Sequence, residues 1–239
     1  MSRALLRRIA LSALLLSLCG TALAADPVRY ALDPVHTRVM FAVRHASFSS
    51  AIGTVSGSTG ALVFDPDDWS VAGVEVSVPM TRLDLGDEKW NKAALADNLL
   101  DGDDHPVATF VSTRVEPVDA RHAAVYGTLT LHGVAREVKL DVTFNALKRH
   151  PLPPFRRTAG FSATTVLSRK AFGIDAWPSV IGDSVELRIE AEATRAGRVD
   201  DDAATPVEPA PEMPPTETPV SDALPTDAPK PQPEPEPTP

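Results

Sequence analysis

Val138-Lys139-Leu140-Asp141-Val142-Thr143-Phe144 alternates apolar and polar residues without a break. At that period successive side chains leave opposite faces of an extended chain. The run therefore predicts a β-strand with Val138, Leu140, Val142 and Phe144 on one buried face. Val185-Glu186-Leu187-Arg188-Ile189-Glu190-Ala191 repeats the rhythm, and Val74–Met80 and Val125–Leu131 follow it more loosely. Further strands are expected near Arg29–Leu32, Arg38–His45, Gly60–Phe64, Thr109–Glu116, Ala123–Leu131, Glu137–Asn145, Gly160–Ser168 and Ser184–Thr194. Turn chemistry separates them: Asp33-Pro34, Gly57-Ser58-Thr59-Gly60, Asp65-Pro66-Asp67-Asp68, His132-Gly133 and Pro151-Leu152-Pro153-Pro154.

One segment breaks this pattern. Asp87–Leu100 is rich in helix formers, and Trp90, Leu95, Leu99 and Leu100 recur at roughly helical spacing. Gly102 is expected to stop that helix and Pro106 to keep it from resuming. Many one-sided strands without a matching set of helices bury their apolar faces against each other, in a closed barrel or a sandwich. The fold class is thus all-β, with one helix lidding a barrel or covering a sheet edge. An eight-stranded barrel has an interior that is either packed solid or holds one small ligand. The inward set is rich in valine, which fills less volume than leucine or phenylalanine, so an open channel is the sharper expectation.

The ends of the chain are of other material. Arg3, Arg7 and Arg8, a short apolar run from Ile9 to Leu18, and Ala22-Leu23-Ala24 read as a cleavable secretory signal over residues 1–24. The apolar run is shorter than the ~20 residues that span a bilayer. Cys19 raises the alternative of a lipoprotein, against which the preceding Leu16-Ser17-Leu18 places a bulky leucine where such a site prefers a small residue. If Cys19 leaves with the signal, the exported protein has no cysteine and its fold rests on its core alone. Residues 199–239 hold 13 of the 23 prolines, ten acidic residues and one lysine. Such a segment buries too little to offset its ordering entropy and is expected to be a disordered spacer. Fully extended it reaches on the order of 120 Å at ~3.1 Å per residue.

The whole chain carries a formal charge of −9. The acidic tail accounts for −9 and the three arginines of the signal for +3, which leaves about −3 for the domain over residues 25–198. That balance argues against nucleic acid, whose binding needs a basic footprint, and against a polybasic membrane binder. Catalytic patterns are missing as well. The six histidines show neither His-x-His nor His-x₃-His spacing, and Asp101, Asp103 and Asp104 lack the order of a calcium loop. No Gly-x-Ser-x-Gly elbow and no phosphate-cradling glycine loop occurs. Neither a cofactor nor a metal nor an enzyme is expected. Gly53, Gly57 and Gly60 read as turns and bulges.

Tyr30-x-Leu32-Asp33-x-x-His36, followed by Phe41-x-Val43-x-His45, resembles the opening strands of the YceI-like family of periplasmic lipid-binding proteins. Leu129-Thr130-Leu131-His132-Gly133-Val134, Arg169-Lys170-Ala171-Phe172-Gly173-Ile174 and Gly182-Asp183 continue the likeness in the family's order, over Tyr30 to Thr194. Thr37 departs from the usual serine, Asn98-Leu99-Leu100-Asp101 stands where aromatic residues are common, and the tail lies outside the pattern.

The resemblance implies an extended, lipocalin-like antiparallel barrel whose apolar pore sequesters a long-chain isoprenoid or fatty amphiphile in the periplasm. It places Phe41, Val43, Phe64, Val76, Val78, Phe144 and Phe161 on the wall. Leu95, Leu99 and Leu100 would approach from the helix, and Phe172 from the loop before the last strand. His45, Arg169 and Lys170 are the candidates for a polar head group. Other implied partners are a membrane or envelope surface, touched transiently, and a second copy in a homodimer. A lipid-modifying enzyme and a transmembrane β-barrel stay open as alternatives.

Overall fold

The computed structural model describes residues 28–196; the expected signal and the expected tail lie outside them. The strands are β1 (Arg29–Leu32), β2 (Arg38–His45), β3 (Ser49–Ser56), β4 (Thr59–Val63), β5 (Gly73–Pro79), β6 (Leu83–Asp84), β7 (Val107–Pro117), β8 (His122–Leu131), β9 (Val134–Arg149), β10 (Arg157–Ser168) and β11 (Ile181–Arg195). One α-helix, α1 (Glu88–Ala94), and 3₁₀ turns at Trp69–Val71, Met80–Arg82 and Arg169–Phe172 complete the described residues.

All strand pairs are antiparallel, and β1-β4-β5-β7-β8-β9-β10-β11 close on themselves because β1 also pairs with β11. The result is a closed eight-stranded barrel, as the all-β reading expected. Opposite β10, the long β11 serves two neighbours on its other edge. Its last residues pair with β1 (Leu32↔Ala193), while its first two thirds pair with β2 (Leu187↔Phe41). From β2 the sheet continues through β3 to the two-residue β6.

Alternation does what its period dictates. Val138, Leu140 and Val142 of β9 point inward, as do Val185, Leu187 and Ile189 of β11. Their outward neighbours are charged and pair along the strand, Lys139 Nζ with Asp141 Oδ1 at 2.8 Å and Arg188 Nη2 with Glu190 Oε1 at 2.8 Å. The His132-Gly133 turn joins β8 to β9 with Leu131 opposite Val134, and both turn residues have positive φ (51° and 71°). That is the hairpin geometry expected of the pair.

Two strands, β3 and the two-residue β6, were not legible. β3 has the right period, but its inward positions are Ala51, Gly53 and Val55 while its one large residue, Ile52, is 62% exposed. Gly53 lies inside a strand, where its missing side chain makes room for the Phe41 ring of β2. A Cβ there would fall 2.4 Å from Phe41 Cζ. Gly60 also lies within a strand, β4, and only Gly57, at φ +78°, is the turn glycine expected.

The helix is shorter than its amphipathic pattern. Asp87 caps it by accepting from the Lys89 and Trp90 N–H groups, and it ends at Ala94 with Leu95 as the C-cap. Leu95 to Leu100 continue in turns closed by Leu99 N–H to Ala96 O and Gly102 N–H to Leu95 O. Asp97 and Asn98 have low helix propensity, in keeping with an end before Gly102 is reached.

Candidate functional site

Two apolar clusters occupy opposite ends of the barrel. At the β1 end, Tyr30, Leu62, Phe64, Trp69, Ala123, Ala159 and Ala193 are buried together, with Phe144, Leu147 and Phe161 packed against them. Phe64 is its hub: its ring centroid lies 5.0 Å from Phe144, 5.1 Å from Phe161 and 5.2 Å from Trp69, the last two edge-on. Edge-to-face contacts of this kind hold aromatic rings at fixed angles. At the β8–β9 hairpin end, Val138, Leu167, Phe172 and Ile174 pack with Leu99, Leu100, Leu129 and Leu131.

Between these clusters lies a cavity of about 510 Å³. That volume falls in the range of small-molecule sites, ~300–1,000 Å³. The cavity is walled by inward residues of the barrel strands and of β2, among them Val39, Phe41, Val43, Val74, Val76, Val78, Phe110, Leu129, Leu140 and Ile189. Among the described residues neither Asp nor Glu lines it; the polar side chains on it are Thr37, Ser58, Thr165, Arg44, His45 and Arg169, with the indoles of Trp69 and Trp90. The interior is thus neither a solid core nor an open tube. A more open groove of about 750 Å³ on the outer face of β2, β9, β10 and β11 is rimmed by Arg136, Lys139, Asp141, Glu186 and Arg188, and its polar rim suits water.

Of the residues named from sequence, Phe41, Val43, Phe64, Val76, Val78, Leu99, Leu100, Phe161 and Phe172 face the cavity, as do His45 and Arg169. Leu95, Phe144 and Lys170 do not. Phe144 packs behind Phe64 and Phe161 in the aromatic cluster. Leu95 turns toward Gly102, where an added Cβ would lie 3.0 Å from Leu95 Cδ2. Lys170 is exposed, because the 3₁₀ turn that buries Arg169 and Phe172 sends the two residues between them, Lys170 and Ala171, outward.

Arg169 is more than a head-group candidate. Its guanidinium is buried and donates to three backbone carbonyls, Ile174 (Nη1, 2.8 Å), Gly182 (Nε, 2.9 Å) and Ile181 (Nη2, 2.9 Å). It ties the 3₁₀ turn to the start of β11 and brings a positive charge to the cavity wall. Asp183 secures the same turn by accepting from the Lys170 N–H (3.0 Å) and the Ser168 hydroxyl (2.8 Å). Those bonds, led by the Lys170 amide, hold its carboxyl below the usual carboxylate range. His45 at the end of β2 packs against Trp90 of α1, the two rings tilted at 47° with centroids 5.4 Å apart.

Some wall residues had no sequence signal. Trp69 sits in the β4–β5 connection, outside any alternating run, and Ser58 reads as an ordinary turn residue. Both are buried, and Ser58 Oγ and Trp69 Nε1 have no hydrogen-bond partner among the described residues. Unpaired polar atoms on an apolar wall are uncommon and point to a missing partner.

A closed antiparallel barrel with a short helix and an internal apolar cavity defines a lipocalin-like container. Residues 30–193 match the YceI-like domain, and the chain belongs to that family. It is 32% identical over 192 residues to a UPF0312 protein of Pseudomonas savastanoi pv. phaseolicola, covering 80% of this chain and 96% of that one. A UPF0312 protein of Pectobacterium carotovorum is 30% identical over 181 residues, covering 76% and 92%. Among solved structures, BcnA of Burkholderia cenocepacia shares the fold with a TM-score of 0.61 at 24% identity, covering 68% of this chain and 99% of BcnA. A polyisoprenoid binding domain from Saccharophagus degradans implicated in plant cell wall breakdown has a TM-score of 0.54 at 14% identity, covering 71% and 99%.

Proposed function

We propose that this protein is an exported carrier that sequesters a long-chain isoprenoid or a similar amphiphile in its barrel. The observation that carries this reading is the cavity, about 510 Å³, with a wall almost wholly of apolar side chains. Each CH₂ moved from water onto such a wall contributes ~0.8 kcal/mol, so a chain of many carbons binds tightly without elaborate polar recognition. The Saccharophagus degradans domain of the same fold, described as polyisoprenoid binding, supports this ligand class.

The polar atoms on the wall suit an amphiphile better than a pure hydrocarbon. The Arg169 guanidinium, the Ser58 hydroxyl and the Trp69 indole N–H are donors that a phosphate, quinone or carboxyl oxygen would accept from. Catalysis by proton transfer needs a paired acid and base within reach of the substrate. With no carboxylate on the wall among the described residues, the cavity is better suited to holding than to transforming. The charged outer face, with Lys139, Asp141, Arg188 and Glu190, is the reverse of a transmembrane barrel, where a Lys or Arg facing lipid costs ~2–4 kcal/mol at the midplane.

Export and a periplasmic location follow from the signal-like residues 1–24, and residues 199–239 would serve as a spacer toward the cell envelope. Native mass spectrometry of the purified protein tests the ligand. A co-purifying lipid of long chain, released by organic extraction, is the expected result. Repeatedly empty preparations from a lipid-replete host would overturn the reading.

A further inference from the structure

Spacing along the chain gives no metal pattern, but spacing does not register ligands that come from separate segments. Asp101 and His105 lie in the loop that follows α1, and His132 sits at the β8–β9 turn. Their ligand atoms nevertheless all lie within 4.8 Å of one another. We propose that Asp101, His105 and His132 form a site for a divalent transition metal, Zn²⁺ the best match, that pins the loop after α1 to the β8–β9 hairpin.

The donor set fits such an ion: two imidazoles and one carboxylate suit Zn²⁺, with a fourth position left to water. Orientation supports it too. His132 Nδ1 lies 3.1 Å from the Phe172 carbonyl oxygen. A carbonyl only accepts, so Nδ1 carries the proton and Nε2 keeps its lone pair free. A backbone carbonyl fixing one ring nitrogen while the other faces the metal is the usual outer shell of a metal-binding histidine.

His105 Nε2 stands 3.9 Å from Asp101 Oδ2, beyond hydrogen-bond distance and wide enough to straddle an ion. A four-coordinate Zn²⁺ with bonds of ~2.0–2.2 Å holds its ligands about 3.4 Å apart, so modest side-chain rotation closes the set.

The backbone is shaped to bring these groups together. Asp101 (φ 49°) and His132 (φ 51°) both occupy the left-handed region that non-glycine residues seldom adopt. At Gly133 a Cβ would fall 2.7 Å from His105 Cε1, so glycine is what lets the His105 ring lie against the turn. The two imidazoles then meet edge-on at 5.1 Å. Asp101 follows Leu100, His132 follows Leu131, and Phe172 supplies the carbonyl; all three of those neighbours line the cavity. A metal here would fasten three wall segments at the hairpin end, whatever fills the interior.

The test uses the full chain without an affinity tag, with Zn²⁺ titrated by calorimetry and Tm followed with and without chelator. His132→Asn and Asp101→Asn keep a residue that tolerates positive φ, and His105→Gln removes the third ligand. One Zn²⁺ per chain is expected, with affinity falling at least about tenfold in each variant. The Zn²⁺-dependent rise in Tm should vanish in the His105→Gln/His132→Asn double variant, and Mg²⁺ should give no comparable rise. His122→Gln, which removes an ordinary exposed histidine paired with Asp119, should change nothing. Should either histidine variant fail to fold, Asp101→Asn carries the same reading. Absence of saturable Zn²⁺ binding would overturn the proposal. So would binding that survives all three substitutions, which would place the ion elsewhere, for instance on the acidic residues 199–239.

Discussion

Arg169 and Asp183 show how single polar residues shape an apolar container. Arg169 is buried and gives three of its five N–H donors to backbone carbonyls, while Asp183 holds the same 3₁₀ turn through the Lys170 amide and the Ser168 hydroxyl. The lowered pKa of Asp183 makes this a pH-dependent fastening. A carboxyl lowered by folding contributes stability that is present above its unfolded value, ~3.9, and that is lost as pH falls through the folded value. Acid titration of Tm should therefore show a steeper loss below about pH 4 in the natural protein than in Asp183→Asn. Equal slopes would mean that the turn does not depend on this charge. The sequence placed Arg169 and Lys170 together as head-group candidates. Only the turn geometry separates them, one inward and one outward.

At the level of the strands, close approach matters as much as alternation. In β4, a Cβ on Gly60 would lie 2.1 Å from the Glu75 carbonyl oxygen of β5, a backbone atom that cannot swing aside. In β10, a Cβ on Gly160 would meet only Asn145 Cβ, at 3.8 Å. Gly60→Ala should thus cost at least ~1–3 kcal/mol, as overpacking does. Gly160→Ala should be neutral or stabilising by up to ~1 kcal/mol through the unfolded chain. Urea midpoints of the two variants check the pair, and equal costs would refute the contact argument. The same spacing explains why β3 was illegible: its buried face is Ala51, Gly53 and Val55, because Phe41 of β2 occupies the room above Gly53. A hydropathy pattern records which side chain is apolar, and not which neighbour supplies the bulk.

For the molecule as a whole, the decisive feature is that eight strands close around more space than their side chains fill. Ala163 of β10 is buried on the cavity wall. Ala163→Phe should enter that space with a change in stability of less than ~1 kcal/mol, whereas in a filled core the same change would cost ~1–3 kcal/mol. Lipid occupancy, read by native mass spectrometry, should fall in the same variant. A large loss of stability with occupancy unchanged would argue for a packed interior and a ligand bound elsewhere.

Alternation along Val138–Phe144 and its counterparts determined the all-β class, the inward faces and most of the wall, since side-chain direction in a strand depends only on local period. The motifs around His36, His132 and Arg169 placed the chain in its family. Tertiary structure alone decided the rest. Closure through β1 and β11 fixed how much space is enclosed, and the aromatic packing around Phe64 took Phe144 out of the wall. The turn at Arg169–Phe172 turned Lys170 outward, and the fold brought Asp101 and His105 against His132. Each of these depends on distances between residues far apart in the chain, which local chemistry does not encode.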